Sequence, residues 1–124
     1  MYTITEDDVL AARQFDDWVV RDALFNFDVH NIEGSGLDKT GVQKKFKQTK
    51  GYTIPYGCLV PKGIDNLLLA GRNISGTHMA HSNYRAMPIC AGIGEAAGAA
   101  AAIAAKQGIK ARDVNVKEIQ DILI

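Results

Sequence analysis

The residues from Ala86 to Gln107, AMPICAGIGEAAGAAAAIAAKQ, constrain this chain more than any other stretch, because almost every side chain in them is tiny. Alanine has the highest helix propensity and proline is tolerated in a first turn, so a helix is expected from near Pro88 to a stop at Gly108. At 1.5 Å per residue it spans roughly 30 Å. Such a helix buries little apolar area, and each of Gly92, Gly94 and Gly98 costs ~1 kcal/mol against alanine. A compensating contact is therefore required. Gly94 and Gly98, with Ala91, Ala97, Ala101, Ala102 and Ala105, form a smooth surface that admits a backbone or a flat ligand close to the axis.

The run Leu67-Leu68-Leu69-Ala70, ending at Gly71, reads as a strand covered on both faces in an α/β sheet, whose carboxyl end is a ligand position. Between it and the helix lies a polar segment with Arg72, Asn73, Ser75, Thr77, His78, His81, Ser82, Asn83, Tyr84 and Arg85. Two arginines beside a helix amino end, with its unpaired N–H groups and partial positive charge, suit a phosphate or an electron-rich ring.

With 124 residues, 47% of them apolar, and no formal net charge, the chain fits one domain with a modest core. The neutral balance argues against bulk nucleic-acid binding. The acidic start, MYTITEDDVL, does not resemble a secretory leader. A bilayer span over Ala86–Ala105 is disfavoured by Glu95, which would cost ~3 kcal/mol at mid-membrane. Cys58 and Cys90 form no CxxC, so reduced thiols in a cytoplasmic protein are expected. Cys90 in a first helical turn favours a thiolate, whereas burial as a small apolar side chain is the simpler reading.

Thr5 with Asp8 resembles a capping box, predicting a first helix to about Trp18, with Phe15 and Trp18 as core contacts. Leu24–His30 alternates with period two, predicting a half-buried strand with Phe25, Phe27 and Val29 on one face. Asp28 and His30 then share the other face, close enough for a carboxylate to orient an imidazole, although a solvated face is the simpler reading. From Asn31 to Gly51 the chain is polar, glycine-punctuated and lysine-rich, an exposed connection. Gly34-Ser35-Gly36 lacks the third glycine of a dinucleotide fingerprint, and Gly36–Gly41 lacks the Lys-Ser/Thr pair of a phosphate loop. Tyr52–Val60 is strand-like with an edge or bend at Pro55, and Pro61-Lys62-Gly63 makes a turn. Asn115 and Glu118 cap a terminal helix over Val116–Leu123.

The run IPYGCLVPKGIDNLLLAGRNISGTHMAHSNYRAMPICAGIGEAAGAAAA resembles the C-terminal end of the FAD-dependent oxidoreductase family. The resemblance covers Tyr52 to about Ala105 well, and TITEDDVLAARQFDD with FDVHN more loosely. It implies a glutathione-reductase-like FAD-binding fold. The chain is then an α/β (α+β) fragment: the C-terminal portion of an FAD/NAD(P)-binding Rossmann-like domain, with short strands and a long Ala/Gly-rich helix. Residues 1–51 border a substrate region, and 52–124 form the C-terminal half of the FAD-binding domain.

By that resemblance Gly71, Arg72 and Ser75 contact FAD, the first two near its ribityl and phosphate part, while Met87, Pro88 and Ile89 face the pyrimidine edge of the isoalloxazine. His78, His81 and Arg85 are the substrate-side candidates, as anion binders or a proton donor to a small-molecule substrate, with His30 and Tyr56 behind them. Where Arg72 stands, members of the wider fold often carry an acidic residue. The glycine-rich strand, turn and helix that hold the ADP half of FAD in the family are not found in this sequence. The chain therefore looks like a segment of a longer enzyme that binds FAD weakly or not at all alone, completed by the remainder of a parent chain, with self-association also open. Two other readings compete. One is a metal site on His78 and His81, which needs a further ligand, and the other is a non-enzymatic interaction module docking through the alanine helix.

Overall fold

The computed structural model describes residues 1–30 and 46–123. The glycine spacings at 34–41, and Lys39, Lys44 and Lys45, lie outside them.

Thr5 caps helix α1 (Glu6–Leu10), accepting from the Asp8 N–H while the Asp8 carboxylate accepts from the Thr5 N–H, so the capping box forms. The helix does not run on to Trp18. It ends at Ala11, Ala12 turns back at φ +49°, and Trp18–Ala23 is strand β1. The aromatic and β-branched start of that segment, Trp18-Val19-Val20, favours an extended chain, and pairing with a second strand satisfies its backbone. Strand β2 (Tyr52–Pro55) is buried throughout and lies antiparallel to β1, with Trp18 opposite Pro55, Val20 opposite Ile54 and Ala23 opposite Tyr52. At Pro55 the chain bends into a 3-10 turn, Tyr56–Cys58, as the proline predicted.

Two expected strands do not form. Leu24–Val29 is irregular, with Phe27 buried and Phe25 exposed. Its backbone bonds go elsewhere: the Asp28 N–H donates to the Ser82 carbonyl, and Asn83 donates to the Phe25 carbonyl. Leu67–Ala70 is no strand either, and Leu67 and Ala70 are exposed. Among the described residues no strand lies beside it, and one bond, Leu69 N–H to the Leu59 carbonyl at 2.9 Å, ties it down. The sheet here is two-stranded and antiparallel, so the fold shown is α+β.

Helix α2 (His78–Tyr84) interrupts the segment read from sequence as a polar loop. Helix α3 (Met87–Gln107) follows after one turn, with Pro88 in its first turn and Gly108 closing it at φ +64°, as predicted. Ile89, Ile93, Ala96, Ala100 and Ile103 repeat at helical spacing and face the core against β1. The helix is long and apolar enough to cross a membrane on length and composition, and a third of that window is buried here. Helix α4 (Val116–Leu123) matches its predicted bounds, with Asn115 accepting from the Lys117 N–H. Ile119 is fully buried, and Gln120 donates to the Asp16 and Trp18 carbonyls, so α4 holds the entry to β1.

Candidate functional site

The site is built on the turn between α2 and α3. Thr77 caps α2 by accepting from the Ala80 N–H at 3.2 Å, and its hydroxyl donates to Glu6 Oε2 at 2.6 Å. A parallel bridge between Ile4 and Gly76 brings the N-terminal segment alongside. Here a side chain at 76 is excluded: a Cβ would lie 2.5 Å from the Tyr84 ring. Tyr84 is buried, donates to the Ile74 carbonyl at 3.2 Å, and burial pushes its hydroxyl up to about 12.

Asn83 is fully buried and fully engaged. It accepts from the Tyr52 hydroxyl at 3.0 Å and donates to Gln48 Oε1 at 2.8 Å and to the Phe25 carbonyl. These bonds fix α2 on β2 and on the residues after β1, because a buried amide left unpaired is costly. The signal for α2 was present in the sequence, a Thr N-cap followed by apolar Ala80 and Tyr84 one turn apart, but its polar composition concealed it.

Arg85 ends α2 as its C-cap. Its Nη2 donates to Asp28 Oδ2 at 2.7 Å and to the Asp28 carbonyl at 2.8 Å. Asp28 Oδ2 is also 3.2 Å from His30 Nε2, so the two residues expected to share a face do meet, without the strand that suggested it. Arg85, Gly71, Arg72 and Met87 line one cleft of about 750 Å³, completed by Ala70, Asn73 and Cys90. A Cβ added at Gly71 would meet nothing within 4 Å, so that wall is open. No side chain caps the amino end of α3, and no acidic residue stands in its first turn. Pro88 has no N–H, which leaves the first-turn donors Met87 and Ile89 without intrahelical partners.

The other expected site residues are distributed as follows. Pro88 is exposed beside Met87, and the Ile89 side chain is buried. Ser75 does not line this cleft; its hydroxyl pairs with that of Thr3 at 2.8 Å on a different surface pocket. His78 is exposed in the first turn of α2. His81 stacks edge-on against Tyr84, with ring centroids 5.3 Å apart. Its pKa is lowered, first by burial and then by the charges of Arg85, His78 and Arg72, against a hydrogen bond to the Arg72 backbone. Tyr56 donates to the Ala111 carbonyl at 2.7 Å, buried away from solvent. Burial raises the Cys90 thiol and outweighs nearby Arg72, and its Sγ points to the Tyr84 carbonyl at 3.5 Å, so the neutral thiol is favoured despite the helix position. Cys58, fully buried, is pushed up to about 12. Among the described residues no three His, Cys, Asp or Glu side chains gather as a metal site.

A second, apolar groove of about 770 Å³ runs between Asn66–Ala70 and the small-residue face of α3. A Cβ at Gly94 would sit 3.7 Å from the Ala70 carbonyl oxygen, and one at Gly98 would meet nothing within 4 Å.

Comparison with known families places the chain among oxidoreductases. The FAD dependent oxidoreductase family matches over residues 1–123, nearly the whole sequence, and the chain belongs to that family. Membership implies FAD as the cofactor of the full-length protein. Neither a curated protein nor a solved structure matches the chain. The cleft fits such a group in its chemistry: two guanidinium groups, an uncapped helix amino end and a glycine wall suit an anionic, flat ligand.

Proposed function

We propose that this chain is the C-terminal segment of an FAD-dependent oxidoreductase with a glutathione-reductase-like FAD-binding domain, and that it forms the flavin-side wall and part of the substrate pocket. The observation that carries the reading is the convergence of Gly71, Arg72, Arg85 and Met87 on one cleft at the uncapped start of a 21-residue helix. FAD bound there supplies the hydride acceptor for a small organic substrate.

The protein's own part is electrostatic and steric. The Met87 and Ile89 N–H groups and the two arginines offer fixed positive potential where a reduced flavin ring gathers negative charge. Gly71 admits the cofactor chain near the backbone. Exposed His78 is free to bind a substrate anion or give a proton, whereas His81, neutral and held by Tyr84 and the Arg72 backbone, steadies the arginine segment. The apolar groove along α3 is the face on which the remainder of a cytoplasmic parent chain packs, and its lack of bulk at Gly94 and Gly98 supports that role.

Replacing Arg85 or Arg72 with alanine in the flavin-loaded full-length protein tests the reading. Each partly exposed charge is worth on the order of 1 kcal/mol to the reduced state, so the two-electron midpoint potential is expected to fall by about 20 mV. Unchanged potentials in both variants would remove the arginines from the flavin's surroundings.

A further inference from the structure

We propose that Asp28 is a positioning residue for Arg85, holding its guanidinium at the mouth of the cleft; the role rests on the flavin-side reading given above. Asp28 is attached to the carboxyl end of α2 at three points. Its N–H donates to the Ser82 carbonyl at 3.2 Å, one of the last-turn carbonyls that a helix leaves unpaired. Its own carbonyl and its Oδ2 then both accept from Nη2 of Arg85, at 2.8 Å and 2.7 Å. His30 Nε2, 3.2 Å from the same Oδ2, braces the carboxylate.

The consequence is geometric more than energetic. The Arg85 and Asp28 side chains are 28% and 30% exposed, and a pair so open to water adds little stability. Two acceptors on one nitrogen, one of them backbone, nevertheless select a single orientation for a side chain that otherwise samples many rotamers. All of the hydrogen bonds that Arg85's guanidinium makes among the described residues use Nη2, so Nε and Nη1 are not engaged by them, and Arg85 lines the cleft.

Positioning and plain charge make opposite predictions. If Asp28 acted only as a nearby negative charge, its removal would make the cleft more positive and raise the flavin potential. If it positions Arg85, removal leaves the guanidinium on the Asp28 carbonyl alone, free to turn toward solvent about that one bond, and the potential falls. In the flavin-loaded full-length protein, Asp28→Ala is expected to lower the midpoint potential in the same direction as Arg85→Ala, because a misplaced charge no longer acts on the bound group. The double variant is expected to match Arg85→Ala alone. Asp28→Asn keeps an acceptor without the charge, so its potential is expected at or above that of the parent.

A rise or no change in Asp28→Ala, or a further drop in the double variant, overturns the positioning role. Should Asp28→Ala not fold, a lowered potential in Asp28→Asn overturns it equally. An Arg85→Ala variant with unchanged potential overturns the cleft reading and the positioning role together. A shifted Arg85→Ala beside an unmoved Asp28→Ala overturns the positioning role alone.

Discussion

Asp8 shows how much one side chain can carry in a chain with a small core. Burial alone would raise its pKa, but the Thr5 N–H, Arg13, and the Tyr2 and Thr5 hydroxyls all bind the ionised form and together hold the carboxyl below its usual range. Arg13 Nη1 lies 2.9 Å from Oδ1, and the Tyr2 hydroxyl 3.0 Å from Oδ2. A carboxyl whose folded pKa is depressed contributes stability that is present above its unfolded value of 3.8 and lost as pH falls through the lower folded value. The urea midpoint is therefore expected to drop as pH is lowered below about 4. Asp8→Asn should cost about 1–3 kcal/mol near neutral pH and flatten that acid limb. An acid limb of undiminished slope in the variant would show that other carboxylates set it.

At the scale of elements, the sequence was readable where the determinants are local and silent where they are tertiary. Pro88 and Gly108 bracket α3 through constraints on their own backbones, and Asn115 starts α4 through its own side chain, so both helices were found with nearly correct bounds. The leucines at 67–69 announce burial on both faces, but that burial depends on neighbouring strands, and among the described residues no strand lies beside them. The alternation of Leu24–Val29 gave way to bonds with α2, which is itself short and polar enough to pass for a loop. The cleft was legible in part: Gly71, Arg72, Arg85 and Met87 meet, while Ser75 belongs to another surface, and the contact between Arg85 and Asp28, 57 residues apart in the chain, had no sequence signal. The uncovered face of α3 supplies a test. Gly98 is exposed with room for a methyl group, so Gly98→Ala should stabilise this chain by about 1 kcal/mol through helix propensity. Thermal melting reads the effect, and a lowered melting temperature would mean that the face is already covered, for example by self-association.

For the molecule as a whole, the central quantity is how much of an FAD molecule 124 residues can hold. The cleft is lined by Arg72 and Arg85, both with access to solvent, and by Met87 at the uncapped amino end of α3. Charge-assisted hydrogen bonds contribute about 1.5–3 kcal/mol each at best, and less where water competes. Two such bonds and a helix end worth about 1 kcal/mol give roughly 4–7 kcal/mol. Micromolar affinity requires about 8 kcal/mol net, after association has cost at least about 4 kcal/mol in lost freedom. The spacing at Gly34 and Gly36 is not completed as a dinucleotide fingerprint, because position 39, where a third glycine would stand, is Lys39. Titrating this chain with FAD, followed by quenching of flavin fluorescence, is accordingly expected to show no saturation in the micromolar range. Saturable binding below about 10 μM would mean that the cleft and the groove along α3 already act together as a complete site, and would overturn the proposed partition of the cofactor between this segment and a longer chain.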